Sequence, residues 1–91
     1  MRTDLAETRR RMMRLWYMKK LQGEPEEMER VEAETRELIE TVPNETLRKI
    51  AEERYIKCHT WKEVIDNLHY SKPTLERYNT LILKCISKQI W

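Results

Sequence analysis

The sequence has little of the residues that make turns: its 91 residues include one Gly and three Pro, and no Phe. A sheet protein needs turn residues between its strands, so this scarcity argues against an all-β fold. No apolar run approaches the roughly 18 to 20 residues that span a bilayer. The first residues also lack the apolar segment of a signal peptide. We therefore expect an all-α protein of the cytoplasm that contacts no membrane.

Cysteine is also scarce. Cys58 and Cys85 are the only two cysteines, and neither has a second Cys or His at the short spacing of a zinc half-site. In a reducing cytoplasm both are expected to be small buried hydrophobic residues rather than disulfide partners. The chain has no Gly-rich phosphate loop and no paired nucleophile and base. We therefore expect no metal, no cofactor and no enzymatic activity.

The formal net charge of +2 conceals a strong segregation of charge along the chain. Residues 1–23 carry seven basic and two acidic side chains, a net charge of +5. Residues 24–45 carry two basic and nine acidic side chains, a net charge of −7. Residues 46–91 carry nine basic and five acidic side chains, a net charge of +4. Blocks of alternating sign indicate stretches with different roles, and the acidic block should face away from any nucleic acid.

Residues 1–43 are predicted to form a helical hairpin or a coiled coil. The first helix has Asp4 as its candidate cap, an apolar stripe that continues to Leu21, and a stop at Gly23. Apolar residues on the second helix alternate in steps of three and four, the spacing of a coiled-coil seam. A seam this short must pack on the first helix, on the C-terminal domain, or on a second copy of itself in a homodimer. The candidate oligomerisation residues are Met28, Val31, Leu38 and Val42.

Residues 44–91 are predicted to form a three-helix domain. Asn44, Thr60 and Ser71 are the candidate caps of its helices. A short capped helix, a turn of about three residues and a longer capped helix are typical of a helix-turn-helix. His69 occupies the turn site that often holds Gly, so it must accept a backbone conformation that Gly tolerates better. The apolar sites at which the helices should touch are Val64, Leu68, Tyr70, Leu75 and Tyr78.

The same half of the chain resembles a known family. Its segments are RYI at 54–56, TWKEVI at 60–65, LHYS at 68–71 and TLERY at 74–78. Together they resemble small phage- and prophage-encoded transcription regulators of the ArpU and RinA types. Those proteins are similar to the region of bacterial sigma factors that reads the −35 promoter element. The family often has Gly where Cys58 stands. The resemblance implies a sequence-specific transcription regulator in a bacterial or phage-infected cell.

The resemblance also implies that the helix beginning at Ser71 enters the major groove of double-stranded DNA. Arg77 is the candidate for a bidentate contact with guanine, and Glu76 can accept a hydrogen bond from a cytosine amino group. Lys72 suits a phosphate, and so does the helix start. The full set of expected DNA-binding residues is Ser71, Lys72, Thr74, Glu76, Arg77, Thr80, Thr60 and Lys62.

Two other functions are compatible with this pattern. A helical assembly or DNA-packaging adaptor, similar to a phage terminase small subunit, would carry the helix-turn-helix as one part of an oligomer. A module that binds RNA polymerase would not need to read DNA. The basic segment RRRMMRLWYMKK at 9–20 is expected to pack on the acidic second helix or to contribute to phosphate binding.

Overall fold

The computed structural model describes residues 5–90, and this part of the chain forms six α-helices. An all-α fold, as the composition predicts, is therefore confirmed. Among the residues described, no helix is both long enough and apolar enough to cross a membrane. The candidate cap Asp4 lies outside this range. The helices are α1 (Leu5–Met12), α2 (Arg14–Lys20), α3 (Pro25–Glu40), α4 (Glu45–Ala51), α5 (Trp61–Leu68) and α6 (Lys72–Ile90), and α4 continues into a π-helical turn (Glu52–Ile56).

Side chains cap α4 and α5 where the sequence predicts. The Asn44 side-chain oxygen accepts a hydrogen bond from the Leu47 N–H at 3.1 Å. At α5 the Thr60 hydroxyl accepts from the Glu63 N–H at 3.2 Å, and the Glu63 carboxylate accepts from the Thr60 N–H at 2.9 Å. Hydrogen bonding of the Glu63 carboxyl to Thr60, first by the Thr60 backbone N–H and then by its side chain, lowers the pKa of Glu63. Both caps satisfy N–H groups that the first turn of a helix leaves without partners.

The N-terminal segment forms two helices where the sequence predicts one. The backbone of Met13 leaves helical geometry, with ψ near 2°, and α2 begins one residue later. Met12 and Leu15 are buried, but Leu21 is 81% exposed. Leu21 follows the end of α2 and precedes Gln22, whose φ of 53° turns the chain away from the helix axis. The expected stripe therefore ends before Leu21.

The two halves of the sequence share one hydrophobic core. Helix α1 lies on α6, and the Thr8 and Ser87 hydroxyls share a buried hydrogen bond. Residues 5–43 are therefore packed against the C-terminal half. The core residues are Met12, Ile39, Val42, Leu47, Ile50, Ala51, Tyr55, Ile56, Val64, Leu75, Ile82, Leu83 and Ile86.

The predicted coiled-coil seam is used inside the chain. Val31 is 1% exposed and Val42 is fully buried, and Met28 and Leu38 are half-buried. Helix α3 packs on α2, on α4 and on the π-helical turn. Of the three partners that the sequence leaves open, the structure shows two, the N-terminal helices and the C-terminal half of the same chain. Val31 and Val42 are therefore not available to a homodimer of this folded chain.

One polar pair lies within the core. The Tyr55 hydroxyl donates a hydrogen bond to the Asn79 side-chain oxygen, and both residues are buried. Burial raises the pKa of Tyr55 to about 12. This pair connects the π-helical turn to α6.

Tyr55→Phe is expected to lower the free energy of unfolding by about 1 kcal/mol at neutral pH, because Asn79 loses its partner. The raised pKa of Tyr55 stabilises the fold below pH 10, and this stabilisation is lost as the pH rises towards about 12. Urea unfolding across this range should therefore show a steeper alkaline loss for the wild type than for Tyr55→Phe. The control is Tyr17→Phe, since Tyr17 is 53% exposed. An equal alkaline loss in wild type and Tyr55→Phe would contradict the assignment.

Candidate nucleic-acid interface

A helix-turn-helix geometry joins α5 to α6. Helix α5 ends at Leu68 and is followed by His69, whose φ of 60° and ψ of 34° are left-handed. The His69 N–H donates to the Ile65 carbonyl at 2.8 Å. The chain then re-enters a helix at Lys72. His69 therefore adopts the conformation that the sequence predicts for the turn site. This tight reversal sets the angle between the two helices.

The apolar sites predicted for the motif hold its helices together. Val64 and Leu75 are buried, and Leu68, Tyr70 and Tyr78 are half-buried against the same core. The rings of Tyr70 and Tyr78 meet edge to face with centroids 5.7 Å apart. These contacts leave the opposite side of α6 for solvent or a ligand.

The loop before α5 is held by Arg54. Its guanidinium donates to the His59 carbonyl at 2.9 Å and lies over the Trp61 ring, 4.9 Å from the centroid. Cys58, within this loop, has a φ of 59°. That left-handed conformation is the one that Gly adopts most readily, and Gly is the residue that the resembling family often has there. Arg54 thereby positions the start of α5.

The cysteines are half-buried rather than fully buried. Cys58 and Cys85 are both free thiols, and burial raises the pKa of Cys58. Within residues 5–90, no group of three or more His, Cys, Asp and Glu side chains is placed to hold a metal ion.

The expected DNA-binding residues fall into two groups in the structure. The first group uses its hydroxyls to order helix starts: Thr60 caps α5, and the Ser71 hydroxyl donates to the Thr74 hydroxyl at 2.8 Å. Thr80 also donates within its own helix, to the Glu76 carbonyl at 3.1 Å. The second group is exposed and charged, and it consists of Lys62, Lys72, Glu76 and Arg77. These four side chains make no ion pair with any residue between 5 and 90, so they present their charge to solvent.

A groove of about 610 Å³ runs beside the first half of α6. We call it the α1–α6 groove, because residues of α1 and α6 line it, together with residues of α2, α5 and the π-helical turn. Four cations line it, and Glu76 is its only carboxylate among the described residues. Three of its lining residues, Tyr55, Leu75 and Asn79, are buried. Its lining residues are Arg9, Arg10, Met13, Tyr17, Arg54, Tyr55, Trp61, Ile65, Lys72, Leu75, Glu76, Asn79 and Thr80.

The basic N-terminal segment is divided between two surfaces. Arg14 forms an ion pair with Glu34 of α3 at 3.3 Å, as the expected packing on the acidic helix requires. Arg9 and Arg10 instead line the α1–α6 groove, as Lys72 and Glu76 do. Sequence reasoning missed this juxtaposition, because no local pattern indicates that α1 docks on a helix at the other end of the chain.

Comparisons with known proteins identify no relative: no family model matches the sequence, and neither a curated protein nor a solved structure matches it.

Proposed function

We propose that this chain is a sequence-specific DNA-binding regulator of transcription, of the phage or prophage type that residues 44–91 resemble. It acts on double-stranded DNA in the cytoplasm of a bacterial cell. The observation that carries the proposal is the exposed face of α6. This face follows a capped short helix and a left-handed turn, and its Lys72, Glu76 and Arg77 make no ion pair with any residue from 5 to 90.

Each exposed residue has a distinct role in this proposal. Arg77 donates two hydrogen bonds to a guanine edge, and Glu76 accepts one from a cytosine amino group. Lys72 and Lys62 lie at the starts of α6 and α5, where they contact phosphates on either side of the base-reading face. Ser71, Thr74 and Thr60 keep the two helix starts ordered through their hydroxyl hydrogen bonds.

The distribution of charge supports this orientation. The acidic helix α3 contributes no side chain to the α1–α6 groove. Its Arg36 and Glu40 line a different surface depression, together with residues of α4. DNA can therefore approach α6 without meeting the carboxylates of α3, and repulsion between these carboxylates and phosphates disfavours the opposite approach.

Selection of bound sequences from random duplex DNA tests the proposal. The full chain should enrich a single motif over successive rounds. Failure to enrich any motif would contradict the proposal and favour an assembly adaptor or an RNA polymerase-binding module. Light scattering separates those two outcomes, because an adaptor of the terminase small-subunit kind should form a ring or a higher oligomer.

Lys72→Ala is expected to weaken binding to selected and random duplexes alike. Loss of one phosphate contact should reduce the slope of log K against log salt by about 0.9. Binding isotherms at several salt concentrations measure this slope. Lys49→Ala is the matched control, since Lys49 is exposed on α4 outside the α1–α6 groove. Loss of discrimination between selected and random DNA in Lys72→Ala would show that Lys72 reads a base instead.

A further inference from the structure

The α1–α6 groove is continuous with the surface that the proposed function assigns to DNA. Lys72, Glu76 and Thr80 line the groove and are also exposed on α6. Arg9 and Arg10 of α1 line the same groove. A backbone strand of a duplex bound by α6 can therefore lie beside α1 if it follows this groove.

The charge of the groove suits a phosphodiester strand. Its four cations, Arg9, Arg10, Arg54 and Lys72, exceed its one carboxylate, Glu76. DNA carries one negative charge on every phosphate, and cations that neutralise phosphates release bound counterions. Such a strand, unlike a small neutral ligand, would balance the cationic excess along the length of the groove.

The arginines of α1 are available for such a contact. Arg9 is exposed and forms no ion pair with any residue that the structure describes. Arg10 pairs with Glu7 at 2.7 Å, but its side chain is 70% exposed. An exposed pair of this kind is weak, so a phosphate can replace the carboxylate at little cost. Arg54 differs, because its hydrogen bond to His59 and its stacking on Trp61 already fix it in place.

We propose that the α1–α6 groove holds one phosphodiester strand of the bound duplex, with Arg9 and Arg10 of the N-terminal helix contacting its phosphates. This inference rests on the proposed function, and it adds a second element to the DNA-binding surface. An acidic peptide would also match the cations. The continuity of the groove with the base-reading face of α6 favours the nucleic acid.

The test compares two double variants of the full chain that remove the same charge. Arg9→Gln with Arg10→Gln removes both groove arginines. Arg11→Gln with Lys49→Gln is the control, since both of its sites are exposed and neither lines the groove. Affinity for the selected duplex and for a scrambled duplex is measured across a salt series. Thermal unfolding of each variant establishes that it is folded.

The groove variant should lower the slope of log K against log salt by about 2, because two phosphate contacts are lost. Its preference for the selected duplex over the scrambled one should remain. The control should keep the wild-type slope, and so should Arg9→Lys with Arg10→Lys. If the double Gln variant does not fold, Arg10→Gln alone replaces it, with an expected reduction of about 1.

The two proposals fail in different ways. In one outcome the wild type selects a DNA site, but the groove variant keeps the wild-type slope of log K against log salt. This result would overturn the proposal that a strand lies in the groove, and it would leave the proposed function intact. A wild type that selects no site would overturn both. In a further outcome the wild type binds an oligoglutamate peptide more tightly than it binds duplex DNA, and the groove variant no longer binds the peptide. This result would overturn the strand proposal and assign the groove to an acidic protein partner.

Discussion

Replacing Met12 with Ala is expected to lower the free energy of unfolding by about 2 to 5 kcal/mol, the range typical of large-to-small changes in a core. Met12 is fully buried at the end of α1 and belongs to the same core as Leu83 and Ile86 of α6. Removal of its side chain leaves a cavity in this shared core. The whole chain should therefore lose stability in one cooperative transition.

Urea unfolding followed by circular dichroism and by tryptophan fluorescence measures this effect. Both signals should change together, because one core links both halves of the chain. Leu21→Ala is the control, since Leu21 is 81% exposed and a surface change of this kind costs within about 0.5 kcal/mol. Two separate transitions, with only the first shifted by Met12→Ala, would show that α1 and α2 fold apart from the rest.

Features that depend on near neighbours in sequence could be predicted. The caps at Asn44 and Thr60 involve residues three positions away, so the pattern of residue types specifies them. The left-handed turn at His69 could be predicted because only a few residues separate the end of α5 from the start of α6. The helix-turn-helix was therefore accessible from residue order alone.

The partner of an apolar stripe could not be predicted in the same way. The three-and-four spacing of α3 specifies which face is buried, but not whether a second copy or the same chain covers it. Contact between Thr8 and Ser87 joins residues 79 positions apart. Local periodicity contains no information about such a distant contact, and so the α1–α6 groove and its arginines were missed.

The π-helical turn is a further feature that periodicity did not indicate. The sequence is compatible with a regular helix to Ile56, but the regular part ends at Ala51 and a wider turn follows. Tyr55 enters the core from this turn, and Arg54 reaches towards the start of α5. Turns of this type are frequent at functional sites, and this one supports the helix that precedes the face of α6 for which we propose base reading.

Arg77→Ala is expected to remove about 1 to 3 kcal/mol of discrimination at one base pair, roughly 5- to 150-fold in relative affinity. The guanidinium is exposed on α6 and makes no ion pair with a described residue, so its loss should not disturb the fold. A bidentate contact with guanine carries sequence information, whereas loss of one positive charge weakens binding to all DNA sequences alike. The two effects can therefore be separated.

Lys88→Ala is the matched control for Arg77→Ala. Lys88 is exposed on the same helix but lies in its last turn, far along the axis from the first turns that we assign to DNA. The variant removes the same charge without removing a base contact. It should therefore keep the sequence preference of the wild type at every position.

Repeated selection from random duplex DNA with the wild type, Arg77→Ala and Lys88→Ala tests most directly whether α6 reads the major groove. The wild type and Lys88→Ala should enrich the same motif, and Arg77→Ala should enrich that motif with one base position no longer specified. Equal weakening of selected and random DNA by Arg77→Ala, with the motif unchanged, would contradict the assignment of α6 as the base-reading helix.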